Sequence, residues 1–151
     1  MVAFNKFQTF VGDLGLKVHQ LDTDNLFVLL TNTSPNAADN VVDTSVTPCV
    51  VKATSNGSEI AAGNGYVKKG KDVTGTYSQA AGVGTLGGTD MVWTAAGGTI
   101  GPFRYAVLFN DTGGAAATRP VIGWWDYGSP ITLNDGETLT FDIVTNLATI
   151  T

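Results

Sequence analysis

The chain has 151 residues, enough for one domain that buries about 68–70% of the surface its unfolded state exposes, so it needs no disulfide or metal staple. Charged residues make up only 14% of it, against a usual figure of about 25%, and 13 acidic residues outweigh 8 basic ones for a formal charge of −5. That balance disfavours nucleic acid as a partner, while the single cysteine, Cys49, and the single histidine, His19, exclude an internal disulfide, a thiolate cage and a multi-histidine metal site.

At the N-terminus, Met1-Val-Ala-Phe-Asn-Lys6 lacks the apolar run of a signal peptide, so synthesis in a cytoplasm is expected. Phe4, Phe7, Phe10, Val11, Leu14, Val18 and Leu21, turned at about 100° per residue, fall within a stripe about 120° wide. This predicts an amphipathic helix over residues 4–19, packed through Phe4, Phe7, Val11 and Leu14 and weakened at Gly12 and Gly15 by about 1 kcal/mol each. His19 then reads as a cation at the helix C-terminus, or as the one available base for a nucleophile. Asp22-Thr-Asp-Asn25 opens like a calcium loop, but Phe27 and Thr33 stand where that loop needs Gly and Glu, so a turn is expected.

Residues 26–31 have the length and composition of a buried strand, too short to cross a bilayer, and Asn32-Thr-Ser-Pro-Asn36 ends it. Residues 36–56 show little pattern beyond Val41-Val42 and a strand candidate at 49–53, in which Cys49 reads as a small buried apolar side chain. After Asn56-Gly57, strands are predicted at 58–62, 65–69, 73–78, 91–95, 103–110, 121–127 and 137–144. In the last of these Leu139, Phe141 and Ile143 alternate with Thr138, Thr140 and Asp142. Residues 80–88 are glycine-rich and predict an exposed, mobile loop. Within them Gly82-Val-Gly-Thr-Leu-Gly87 spells the dinucleotide fingerprint, but a strand follows where that motif requires a helix. Many short strands spaced by Gly, Asn and Asp turns predict an all-β fold, a β-sandwich or jelly-roll-like domain with one short N-terminal α-helix, filling residues 1–151 as a single domain.

No set of residues assembles into a catalytic constellation, and no enzyme activity, cofactor or bound metal is expected. The sharpest local signal is Trp124-Trp-Asp-Tyr127. Adjacent strand residues point to opposite faces, so one tryptophan is expected in the core and the other against a second layer or a partner. Large aromatics dominate interface centres, which makes Trp124, Trp125 and Tyr127 interface candidates, with a sugar-stacking platform as an alternative. Arg104 joins them because a guanidinium in an otherwise apolar strand needs a carboxylate, and Asp126 is a candidate.

Four blocks, Leu29-Leu-Thr-Asn-Thr-Ser-Pro35, Glu59-Ile-Ala-Ala-Gly-Asn-Gly-Tyr66, Ile100-Gly-Pro-Phe-Arg-Tyr-Ala-Val-Leu-Phe-Asn-Asp111 and Ile122-Gly-Trp-Trp-Asp-Tyr-Gly-Ser129, resemble signature blocks of a small virion protein family of tailed bacteriophages. The resemblance runs from the N-terminal segment to Thr151 and departs most in residues 36–56, at Pro48-Cys49. It implies a capsid decoration, or cement, protein: a β-sandwich or jelly roll, dimeric or trimeric, made in a bacterial host and seated on the outer surface of the capsid, where it bridges major capsid protein subunits without nucleic acid or membrane as partners. A tail or head-fibre component and a glycan-binding β-sandwich module are the alternatives.

Overall fold

The computed structural model describes residues 3–143 and 147–150. In chain order the elements are β1 (Phe4–Lys6), α1 (Thr9–Gly15), β2 (Leu26–Thr31), β3 (Val41–Asp43), β4 (Val50–Lys52), β5 (Gly57–Ser58), β6 (Lys71–Asp72), β7 (Thr76–Ala80), β8 (Val83–Gly87), β9 (Met91–Thr94), β10 (Ile100–Asn110), β11 (Arg119–Leu133), β12 (Thr138–Phe141) and β13 (Ala148–Ile150). The fold is all-β and sandwich-like, with one short helix, as the sequence predicts.

The frame is the antiparallel trio β2–β10–β11. Its strands read as nearly continuous apolar runs because both faces of the sheet are covered. On one face Leu26, Val28 and Leu30 of β2 and Ala106 and Leu108 of β10 meet Leu86, Met91 and Trp93 from the pairs β8–β7 and β9–β12. On the other face Leu29, Val107, Phe109 and Val121 pack with Val42, Cys49 and Val51. The latter come from β3–β4–β5, which leave β11 at Arg119↔Val42 and Pro120↔Val41 and curl over that face. They return to the frame where Thr31 bridges Glu59 and the Ile60 N–H donates to Leu30 O, so this second core lies inside a closed ring of strands.

Alternation on β11 is broken by a bulge. Leu108 pairs with Gly123 and Phe109 with Val121, which leaves Ile122 as the extra residue. Val121 and Trp124, three apart, therefore share one face, while Ile122 and Trp125 enter the other core.

The N-terminal segment differs from expectation. Residues 4–19 are not one helix: Phe4–Lys6 pair with Trp125, Trp124 and Gly123, and α1 covers only Thr9–Gly15. Residues three apart share a face in a helix but lie on opposite faces in a strand. Phe4 accordingly stacks on Trp125, with ring centroids 5.0 Å apart, and Phe7 reaches the other core against Trp124 at 4.5 Å. Val11 stays exposed. Residues 80–88 are not a loop either, since β7 and β8 form a regular hairpin over them, turning at Ala81-Gly82. Residues 65–69 form no strand; a tight turn bridges Gly63 to Tyr66. The end of the predicted strand 137–144 lies partly outside the described residues, but Leu139, Phe141 and Ile143 do turn toward the core.

Candidate functional site

All four candidate residues lie on the β10–β11 hairpin, three of them on one side of it and Trp124 on the other. Tyr105 pairs with Asp126, and the next registered pair is Phe103 with Ile131. Across that interval Arg104 faces an excess of β11 residues, Tyr127 to Pro130, all exposed and without a partner on β10. This wide bulge is pinned at its root. Arg104 Nε donates to Asp126 Oδ1 at 2.7 Å and Nη2 to Oδ2 at 2.8 Å, a bidentate pair, and Oδ1 also accepts the Gly128 N–H at 2.8 Å. Gly128 sits at φ +98°, a conformation that L side chains rarely adopt. The Arg104 guanidinium holds the Asp126 carboxyl below the ordinary carboxylate range, helped by the Gly128 N–H, and Asp126 in turn raises Arg104. Arg104 also lies 5.1 Å from the centroid of the Tyr105 ring.

Beside the bulge a groove of about 390 Å³ opens between the hairpin and β12. Phe103, Trp125, Ile131, Leu139 and Phe141 line it, and Arg104, Tyr127 and Thr140 add polar groups. Trp125, only 8% exposed, is clamped by Phe4 and by the edge of Phe141 at 4.8 Å. Trp124 is half-buried in the opposite core. Neither indole stands free. The exposed aromatic of this cluster is Tyr127, at 55%. The structure brings Arg104, Trp125 and Tyr127 to one groove with Asp126 paired to Arg104, and turns Trp124 to the opposite core; sequence reasoning misses Phe103, Ile131 and Phe141 as groove residues. Their alternation marks them as core-facing, and among the described residues no strand covers that face, which leaves it as a groove wall.

Elsewhere polar groups are tied into the scaffold. Buried Glu59 accepts from the Tyr66 hydroxyl at 3.0 Å and the Lys69 N–H at 2.8 Å through Oε1, and from the Cys49 N–H at 2.7 Å through Oε2. The Tyr66 oxygen also accepts the Leu30 N–H. Burial, then Glu59, pushes the Cys49 thiol up to about 12, far from a nucleophilic thiolate. His19 is not a cation at a helix end: the helix stops at Gly15, and His19 is buried with Nδ1 accepting from Asn110 Nδ2 at 3.2 Å. Its Nε2 lies 3.9 Å from Asp13 Oδ2, and desolvation lowers its pKa against the raising influence of Asp13 and Asp24. Asp22–Asn25 forms a turn in which Asp24 accepts the Gln20 N–H. Among the described residues no group of His, Cys, Asp and Glu converges as metal ligands, and no helix is long and apolar enough to cross a membrane.

No family model matches the chain, and no curated protein or solved structure does.

Proposed function

We propose that this protein is a non-enzymatic structural component of a tailed-phage virion, which binds the outer surface of the capsid and stabilises it by bridging major capsid protein subunits. The observation that carries the reading is the pinned bulge over the aromatic groove. An exposed Tyr127 is held by a bidentate Arg104–Asp126 pair on the most deeply paired hairpin of the fold. Rigid aromatic and arginine side chains beside an apolar groove make a contact hot spot, because little conformational entropy is lost when a partner covers them. Further support comes from the blocks that resemble phage virion proteins. They lie on β2, β10, β11 and the Glu59–Tyr66 strap, which are neighbours in space. The net charge of −5 suits a surface turned away from packaged DNA.

The test is addition of the purified protein to capsids that lack it, followed by sedimentation and counting of copies per particle. Binding at many copies on the shell is expected, with Tyr127→Ala and Arg104→Ala reducing occupancy. Absence from the shell, or recovery only with tails, overturns the assignment. A glycan-binding reading is favoured by one feature, an aromatic-walled groove of about 390 Å³ with a planar Arg–Asp pair at its rim. Saturable binding on a glycan array, lost in Tyr127→Ala, would support it instead.

A further inference from the structure

The three-stranded sheet runs β13–β8–β7, so β7 is its edge, and among the described residues no strand pairs with its outer side. All five residues of β7, Thr76-Tyr-Ser-Gln-Ala80, are exposed. Its register with β8 is regular from Thr76↔Gly87 to Ala80↔Val83, so no bulge twists the edge away. It contains no proline, and no charged residue occurs from Val73 to Thr89. Natural edges are guarded by charge, proline, bulges or shortness, because an open row of N–H and C=O groups recruits another strand. The other edges of this fold have such guards. β6 is only Lys71-Asp72, β1 ends in Lys6, and the β9–β12 pair is flanked by Asp90 and Glu137. β7 has none.

The turn fixes which groups of β7 point outward. Ala81 and Gly82 both have positive φ, +51° and +84°, as a two-residue type I′ hairpin requires. In that hairpin the residues flanking the turn, Ala80 and Val83, exchange both backbone hydrogen bonds, and the pattern alternates from there. Thr76, Ser78 and Ala80 therefore spend their backbone groups on β8. Tyr77 and Gln79 direct theirs outward.

We propose that β7 is a self-recognition edge, pairing antiparallel with β7 of a second copy about a two-fold axis through Ser78. In that register Tyr77 of one copy lies opposite Gln79 of the other, twice over. Each pair exchanges both N–H···O bonds, so every outward group of the two residues is satisfied. Ser78 meets Ser78 as the close, non-hydrogen-bonded pair on the axis, and two three-stranded sheets become one of six. The occupant is a second copy because this register is self-complementary and because the strand carries no charge to repel its own image, although each chain carries −5 overall. Tyr77 is already preset: its ring lies across Gly84, where a Cβ would come within 2.3 Å of the hydroxyl.

Cysteine trapping reads the register directly. Cα atoms of a non-hydrogen-bonded antiparallel pair lie about 4.5 Å apart, within the range that a disulfide spans, and Cys49 is buried out of reach. Under mild oxidation Ser78→Cys should form a covalent dimer, and Thr76→Cys should not. Sedimentation velocity of the unmodified chain should show mass rising with concentration from one copy toward two. Gln79→Pro removes an outward donor without touching a bond to β8, and Gln79→Lys places charge on the edge. Each should weaken self-association about tenfold or more with the circular dichroism spectrum unchanged. A chain that stays monomeric at every concentration overturns the proposal, as does equal cross-linking at positions 76 and 78. Association that survives both Gln79 variants but is lost in Leu16→Asp also overturns it, placing the contact on the exposed end of α1.

Discussion

His19 is buried in a place that favours its neutral form, and this gives the fold a defined acid sensitivity. Its pKa is lowered from 6.5 by desolvation, which outweighs Asp13 and Asp24, while Nδ1 accepts from Asn110. A depressed folded pKa means that the unfolded chain takes up the proton first. The contribution is therefore complete above about pH 6.5 and is lost as pH falls through the folded value. Denaturant midpoints should fall between pH 7 and pH 5 in the wild type and fall less in His19→Gln. An equal fall in both would assign the acid sensitivity to carboxylates instead. Tyr66 gives a second test at this scale. Its hydroxyl is a donor to buried Glu59, so Tyr66→Phe leaves that carboxylate short of a partner and should cost about 1–3 kcal/mol in chemical denaturation. The Arg104–Asp126 pair is legible in the sequence, because an arginine in an apolar strand requires a carboxylate. The Glu59 strap is not, because two of its three donors are the backbone N–H groups of Cys49 and Lys69, which leave no mark on residue identity, and the third, the Tyr66 hydroxyl, sits on a tyrosine that reads equally well as core.

Single glycines decide how some elements pair. A Cβ on Gly123 would come within 2.2 Å of the Phe4 ring and 2.7 Å of Asn5 O, so β1 lies against β11 only because that residue has no side chain. Gly123→Ala should therefore expel β1, lower stability by about 1–3 kcal/mol and speed amide exchange at residues 4–6 relative to β10. The sequence pattern misleads here for a definite reason. Phe4 and Phe7 belong to two cores on opposite sides of a sheet, yet their spacing of three is also the helical spacing. The β7–β8 hairpin is hidden in a similar way: Gly82, Gly84 and Gly87 suggest a loop, but Gly82 takes a left-handed turn position and Gly84 makes room for Tyr77. β2 and most of β10 are legible because strands covered on both faces are written as apolar runs, whereas the predicted strand 121–127 stops well short of the end of β11 at Leu133, where Tyr127 to Pro130 are exposed and polar residues break the run.

At the scale of the whole molecule, one sheet divides two cores, and the Trp124-Trp125 pair places one indole in each. Strand alternation sends the two rings to opposite faces, the bulge at Ile122 decides which face each takes, and the second layer that the sequence leaves open against a partner is the one that covers Trp124. The structure gives the exposed role to Tyr127, and the consequences for stability and for binding separate accordingly. Trp125→Ala empties a site closed by Phe4 and Phe141 and should cost about 3–5 kcal/mol, lowering the melting temperature by roughly 10 °C. Trp124→Ala should cost less, since that ring is only half-buried against Phe7. Tyr127→Ala removes a side chain that is 55% exposed on a bulge whose root is held by Arg104 and Asp126, so the fold should melt within about 2 °C of the wild type. If the bulge is the contact surface, the same substitution should cost at least about 2 kcal/mol of partner binding, seen as reduced occupancy on capsids that lack the wild-type chain. Melting each variant beside its occupancy distinguishes the roles. A Tyr127 variant that melts normally and still fills the shell removes the bulge from the interface, whereas a Trp125 variant that melts normally contradicts the core that Trp125 shares with Ile122 and Leu30.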